Sequence, residues 1–340
     1  MLDINELEIY DSLNLTKKLE IPKRSRLFPI KPIGVGTPFA ESLISYVIRL
    51  AQEHCLTAET LIMGEIEPQI MGQQYDSALI HKDLKIIFRN KNNRTPAING
   101  MSNLTQLLVS TLENLTLRQD LKFLSCVTWK GIIKEERLFR QYKAWCPYCL
   151  EQWRKENQSI YEPLIWSFKE VFHCSKHYSI LVDQCPYCEY QSPMISAPLK
   201  LGFCPECKSW LGGSQDEEDM LSQISSFGDF FYILLAGIND FIEVTPRLVV
   251  PPKVSYLRSK LQLIHSYYKK RGFSPNLYRS RLMGLDEAME QLEITLKGNE
   301  NEPLSLTRLL IPICYHAKIS LSQLLSEDLL ALRETLLDNL

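Results

Sequence analysis

Apolar residues recur at helical spacing through most of the chain. Leu43, Val47 and Leu50, with Tyr46 and Ala51 beside them, predict a helix from about Pro38 to His54. Thr37-Pro38 would open it, a capping hydroxyl followed by proline at the first helical position. Cys55-Leu56 breaks the pattern, and Thr57 caps a second short helix from Ala58 to Met63, ending near Gly64. Two helices across a short turn make a helix-turn-helix candidate. Leu104, Leu107, Leu108, Leu112, Leu115 and Leu121 give the 103–143 segment an apolar face in helical pieces. Ile224 to Ile242, with Phe227, Phe230, Phe231, Leu234 and Leu235, reads as helix until Pro246 and Pro251-Pro252 break it. Leu306, Leu309, Leu310, Ile313 and Cys314 share one side of a segment from Leu304 to Ala317. Ser320 to Leu325 follows, a second helix-turn-helix candidate in which Pro312 would kink the first helix. Ser326, Glu327 and Asp328 open a last helix. Leu164 to Phe168 reads as a strand.

The expected fold is therefore mainly α with a small β content. A flexible arm covers 1–27 and a helical domain with a helix-turn-helix covers 28–144. A cysteine-rich region covers 145–213 and a second helical domain with its own helix-turn-helix covers 214–340. Gly212-Gly213-Ser214 followed by Asp216-Glu217-Glu218-Asp219 marks the last boundary.

Composition adds limits. The chain has 340 residues, is 45% hydrophobic and 23% charged, and carries a formal net charge of -2, which argues against a uniformly basic nucleic-acid binder. The first residues are acidic and lack an apolar core, so no signal peptide is expected. The longest apolar run, near Phe230 to Ile238, is far below the ~18 residues that cross a bilayer. A cytoplasmic protein without membrane contact is expected, and its cysteines then read as metal ligands rather than disulfides. Cys55, Cys126 and Cys314 sit in apolar helical contexts and read as buried packing.

Charge is unevenly placed. Lys17, Lys18, Lys23, Arg24 and Arg26 give the arm a basic character, and Lys82, Lys85, Arg89, Lys91 and Arg94 make a basic loop. The first helical pair is acidic: Glu41, Glu53, Glu59, Glu65 and Glu67 surround the lone basic Arg49. A recognition helix presenting carboxylates to phosphates is repelled, so a protein-binding or structural role fits this pair better than DNA reading. From Lys253 to Arg281 the balance reverses. Lys253, Arg258, Lys260, Lys269, Lys270, Arg271, Arg279 and Arg281 occur with no acid, interleaved with Tyr256, Tyr267, Tyr268, Phe273 and Tyr278. Such a stretch is the best nucleic-acid candidate in the chain.

The chemistry-bearing residues lie between 146 and 207. Cys146-Pro147-Tyr148-Cys149, Cys174-Ser175-Lys176-His177, Cys185-Pro186-Tyr187-Cys188 and Cys204-Pro205-Glu206-Cys207 are four pairs with a two-residue gap. That gap turns the chain tightly enough for both side chains to reach one tetrahedral ion, and two pairs close one zinc site. Two structural Zn2+ ions are therefore expected. Pairing in chain order needs only local loops: Cys146, Cys149, Cys174 and His177 for one ion, and Cys185, Cys188, Cys204 and Cys207 for the other. A cross-braced arrangement is the alternative, and His173 is a rival to His177. Four mostly thiolate ligands leave no open position for a catalytic water. No phosphate loop, His-Glu-x-x-His helix or nucleophile elbow occurs elsewhere, so nothing points to an enzyme and no catalytic residue is assigned.

The order of these motifs resembles the TniQ family, which includes TnsD-like proteins. It runs Glu41-Ser42-Leu43-Ile44-Ser45-Tyr46 with Arg49-Leu50-Ala51, a Leu-rich segment, Trp145-Cys146-Pro147-Tyr148-Cys149-Leu150, Cys174-x-x-His177 and Cys185-Pro186-x-Cys188, over roughly residues 27 to 210. The resemblance implies a non-catalytic target-selection adaptor of a bacterial transposon. Such a protein links a target-recognising element to the AAA+ ATPase TnsC. In CRISPR-associated transposons that element is an RNA-guided Cascade or a Cas effector with its guide RNA; TnsD-like members bind target DNA themselves. The short length resembles the effector-docking kind, and a homodimer is a further possibility.

Overall fold

The computed structural model describes residues 24–71, 84, 98–195, 200–214, 229–248, 250–270, 285–326 and 328–338. The basic loop at 82–94, almost all of the arm, and Arg271, Arg279 and Arg281 fall outside these residues, Leu84 and Arg24 to Leu27 apart.

The first helix, α1, is Leu43–Glu53, shorter at its start than the apolar pattern predicts. Thr37 and Pro38 belong to a turn instead, and the Ser42 hydroxyl caps the helix by accepting from the Ser45 N–H at 3.2 Å. The reason is tertiary. Residues 40–42 are held extended against 162–164: the Leu164 N–H donates to the Ala40 carbonyl (2.7 Å) and the Ser42 N–H to the Glu162 carbonyl (2.9 Å). At its far end α1 closes with two bonds, Leu56 N–H to Ala51 carbonyl (2.8 Å) and Cys55 N–H to Gln52 carbonyl (2.9 Å). That reversal puts Cys55 in the left-handed region (φ 56°) and leaves it exposed, contrary to the packing expected of it. Cys126 and Cys314 are buried, as expected.

Two helical stretches carry a proline in their interior. Gly64 does not end the second helix. Helix α2 (Ala58–Leu61) runs through a wide turn, Ile62–Ile66, into α3 (Glu67–Met71), where Pro68 lies. Near the other end of the chain a wide turn, Leu306–Leu310, leads into α9 (Ile311–His316), where Pro312 lies. Each turn closes with a five-residue bond just before its proline, Glu67 N–H to Ile62 carbonyl and Ile311 N–H to Leu306 carbonyl. Proline lacks the N–H that a regular helix would use, and its ring crowds the carbonyl four residues back. Widening the preceding turn accommodates both problems.

The remaining α-helices among the described residues are α4 (Asn103–Thr116), α5 (Pro147–Lys155), α6 (Asp229–Val244), α7 (Val254–Lys270), α8 (Leu285–Lys297), α10 (Leu321–Ser326) and α11 (Leu329–Asp338). Asp328 caps α11, its carboxylate accepting from the Leu330 and Ala331 N–H groups at 2.9 and 2.8 Å. Leu164–Ser167 is a 3-10 turn rather than the strand its sequence suggests, and all four of its residues are buried. Its backbone does not join a ladder; it forms a corner on which Trp166 packs against Trp153. Among the described residues β pairing is confined to isolated bridges, so the fold is mainly helical.

Two apolar cores result. One gathers α1 to α4 with Ile195 and Leu201. The other runs from Trp129 through the cysteine region into α6 to α11. Trp129 is fully buried at the junction, where its ring meets Phe241 and its indole N–H donates to the Thr245 hydroxyl at 2.9 Å. Packing therefore crosses the composition break at 213.

A buried ionic network ties the first core to the second. Glu41 has no exposure, and Arg49 grips its two oxygens at 2.7 and 2.8 Å. The Ser45 hydroxyl donates to Glu41 (2.9 Å) and in turn accepts from the Glu162 N–H (3.0 Å). Nearby, the Lys143 ammonium meets Glu162 at 2.6 Å, and Asn99 links the Ile44 N–H to the Ser167 hydroxyl. Burial raises the Glu41 pKa, opposed by the Arg49 guanidinium.

Arg49→Ala leaves a buried carboxylate without its partner and is expected to destabilise the protein by about 3–5 kcal/mol, read by urea unfolding. The double variant Glu41→Gln/Arg49→Leu is expected to recover part of that loss, because the uncompensated charge is gone.

Candidate metal centres

The eight predicted ligands fold into two separate clusters in chain order. Cys146, Cys149, Cys174 and His177 form one; Cys185, Cys188, Cys204 and Cys207 form the other, with all ligand atoms of each cluster within 4.8 Å of one another. His173 joins neither. It lies in an antiparallel bridge with Ile180.

Local sequence explains the approach of each pair. Three of the four share one knuckle. The N–H four residues beyond the first cysteine returns to that cysteine's carbonyl, and the cysteine's own N–H reaches the carbonyl five residues on. The bonds are Tyr178 to Cys174 and Cys174 to Ser179 (both 2.8 Å), Glu189 to Cys185 (2.8 Å) and Cys185 to Tyr190 (3.1 Å), and Lys208 to Cys204 (3.1 Å) and Cys204 to Ser209 (2.9 Å). Tyr178, Glu189 and Lys208 take left-handed φ values of 54°, 57° and 63° to make the reversal. The Cys146–Cys149 pair is built otherwise. Cys146 caps α5, its sulfur accepting from the Cys149 N–H at 3.5 Å, and Pro147 opens the helix.

The donor geometry fits a tetrahedral thiophilic ion. With Zn–S near 2.3 Å, sulfurs on one zinc stand about 3.8 Å apart. Cys149 and Cys174 stand at 3.6 Å, Cys185 and Cys207 at 3.6 Å, and Cys188 and Cys204 at 3.7 Å. His177 presents Nδ1, at 3.5 Å from Cys146 and 3.2 Å from Cys149. Burial opposes ionisation of Cys146, yet hydrogen bonds from Cys149, Cys174, His177 and Ser179 bring its thiol well below the ordinary range. The Ser209 hydroxyl and N–H hold Cys207 at about 6. Hydrogen bonding to Cys146 pushes Cys149 and Cys174 up, and burial pushes Cys204 up, so a metal entering either cluster would displace protons as it binds. Either can hold a zinc ion with every position taken by protein, an arrangement suited to structure rather than to activating water.

Tryptophans hold the two clusters together. Trp145 pairs with Val182 through both backbone bonds, and its indole donates to the Leu211 carbonyl at 3.2 Å. Trp210, from the second cluster's ribbon, donates to Glu151 on α5 at 2.8 Å. Gly202 and Gly212 close on its ring so tightly that an added Cβ would sit 2.3 and 2.4 Å from it. The sequence had offered Gly212 only as part of a linker; its role becomes visible once Trp210 is placed.

The basic candidates divide. Lys253, Lys269 and Lys270 are exposed. Arg258 and Lys260 are not at the surface: Arg258 donates to the Thr295 and Glu302 carbonyls, and Lys260, fully buried, donates to the Leu324 carbonyl at 2.6 Å. Both lie on the face of α7 turned toward α8 and the last helices, which withdraws them from a phosphate-binding surface. Lys260 meets the C-terminal end of α10, where helix carbonyls lack intrahelical partners and favour a cation. Glu41 and Glu67, counted above as surface acids, are buried as well.

The fold and the clusters define a helical protein with two closed metal-type knuckle sites and no helix, among the described residues, long and apolar enough to cross a membrane. Residues 32–181, somewhat under half of the chain, match the TniQ family model, which describes a transposition-associated adaptor family. No curated protein matches the chain. The matched segment spans the Glu41–Arg49 network and the whole first cluster; the second cluster lies beyond it.

Cys174→Ser is expected to lower bound zinc by one equivalent and to loosen tertiary structure around Trp145 and Trp153. Elemental analysis and near-UV circular dichroism check this.

Proposed function

We propose that this protein selects the target of a bacterial DNA transposition system without catalysing a step itself. In this reading it bridges an RNA-guided Cascade or Cas effector to the AAA+ regulator TnsC, working in the cytoplasm on assemblies bound to DNA. The observation that carries the proposal is the TniQ match over 32–181, which coincides with the network-bound α1 helix and the first cysteine cluster. Two structural zinc ions hold the middle of the chain, and the helical surfaces on either side of them meet the partners.

The other reading, a TnsD-like protein that binds an attachment site directly, rests on the exposed Lys253, Lys269 and Lys270 around α7. The burial of Arg258 and Lys260 removes two charges from it.

Co-purification with the products of neighbouring genes separates the two. The bridging reading expects retention of an AAA+ ATPase, and of an effector only when guide RNA is present. A discrete footprint on one DNA site by the purified protein alone would instead establish the direct binder. In that case Lys269→Glu/Lys270→Glu should weaken DNA association at least tenfold at low salt. Under the bridging reading the same variant retains its partners.

A further inference from the structure

The tetrapeptide Cys-Pro-Tyr-Cys occurs twice, and the two copies meet different surroundings. At 146–149 it opens α5. Both cysteines are buried, and the half-buried Tyr148 ring lies edge-on to His177, with ring centres 6.1 Å apart. Cys174 completes this cluster at 1% exposure. At 185–188 no helix follows. Tyr187 is 67% exposed, Cys188 is exposed, and so is Cys207 across the cluster.

The base of the second cluster is held by contacts that do not involve its ligand sulfurs. Trp210 is fixed by Glu151, Gly202 and Gly212, and the Trp145 indole holds the Leu211 carbonyl. The docking of the ribbon therefore does not depend on the knuckle tips. An ion in the first cluster would balance three buried cysteines of the second core; in the second cluster only Cys185 and Cys204 are buried there.

Within the second cluster, sulfurs of different knuckles stand close, Cys185 to Cys207 at 3.6 Å and Cys188 to Cys204 at 3.7 Å. An oxidant entering from solvent meets Cys188 or Cys207 first, since access governs which thiolate reacts.

We infer that the Cys185/Cys188/Cys204/Cys207 cluster is an exchangeable, oxidation-sensitive zinc site, whereas the Cys146/Cys149/Cys174/His177 cluster retains its ion until the protein unfolds. This inference rests on the proposed zinc content. A hydroperoxide oxidises one exposed thiolate to a sulfenic acid, and its O–O bond breaks to release alcohol or water. The neighbouring thiolate then attacks that sulfur, forming the S–S bond and expelling hydroxide, which is protonated to water. Each disulfide takes two electrons from sulfur and delivers them to one hydroperoxide. Two such reactions join Cys185 to Cys207 and Cys188 to Cys204, and zinc leaves unchanged as Zn2+. Thiol reductant with added zinc reverses the sequence.

The test uses the full chain, loaded with zinc and mixed with a chromophoric chelator. One equivalent is expected to leave at least an order of magnitude faster than the other, with near-UV circular dichroism preserved after the first. Cys188→Ser should lose the fast equivalent and keep the slow one. A second measurement does not depend on that variant folding: hydroperoxide-treated wild type should release one equivalent, and peptide mapping should find the two cross-knuckle disulfides while Cys146, Cys149 and Cys174 remain alkylatable. Release of both ions at one rate, or oxidation of the first cluster before the second, would overturn the inference and leave the zinc reading intact. A protein that takes up no zinc at all would overturn the zinc reading itself.

Discussion

Glu41 is a carboxylate without access to water. An ion taken out of water is tolerated only when its charge is matched and its lone pairs are filled, and here Arg49, Ser45 and the Ile33 N–H fill them. Meeting that requirement fixes the start of α1, draws residues 40–42 against 162–164 and brings Ser45 to the Glu162 backbone. Lys143 and Asn99 extend the same junction. The first helical core is therefore attached to the cysteine region by a polar seam. The cysteine region is joined to the C-terminal helices by apolar contact, centred on Trp129 and Phe241. The motif Glu41-Ser42-x-x-Ser45-Tyr46-x-x-Arg49 is thus a joint between parts of the fold, and its charges are not displayed to a partner.

The cysteine clusters act in the same structural sense. Each offers four protein donors at distances that suit zinc, and each sits beside a tryptophan that ties it to its neighbour. What remains for a partner is the surface outside these joints: the exposed side of the α2 to α3 stretch, the knuckle tips with Tyr178 and Tyr187, and the exposed lysines at the ends of α7. An adaptor needs such a division, because surfaces that bind separate partners must keep a fixed spacing to couple them.

Much of this could be seen along the chain. Two-residue gaps named all eight candidate ligands, and helical spacing located α1, α4, α6 and the segments around Ile313 and Leu324. Other features could not be seen. Leu164 to Phe168 has the residues of a strand, but only its ends pair, Leu164 with Ala40 and Phe168 with Phe139, and the residues between turn into a 3-10 corner. Pro312 marks an interruption in the sequence, but only the structure shows its form, a wide turn over Leu306–Leu310 just before it. Arg258 and Lys260 belong to a basic run in sequence, and α7 turns them inward, where they donate to carbonyls of α8, of the segment after it and of α10.

The sequence by itself determined the chemistry that depends on short spacing. A knuckle closes within six residues, so its candidate ligands and its turn are local properties. Tertiary structure decided everything that depends on which side of an element faces water. That includes the burial of Glu41 and Lys260, the exposure of Cys55, and the unequal settings of two identical Cys-Pro-Tyr-Cys segments. Burial is set by partners distant in the chain, and a charge or a thiol acquires its role only when those partners are in place.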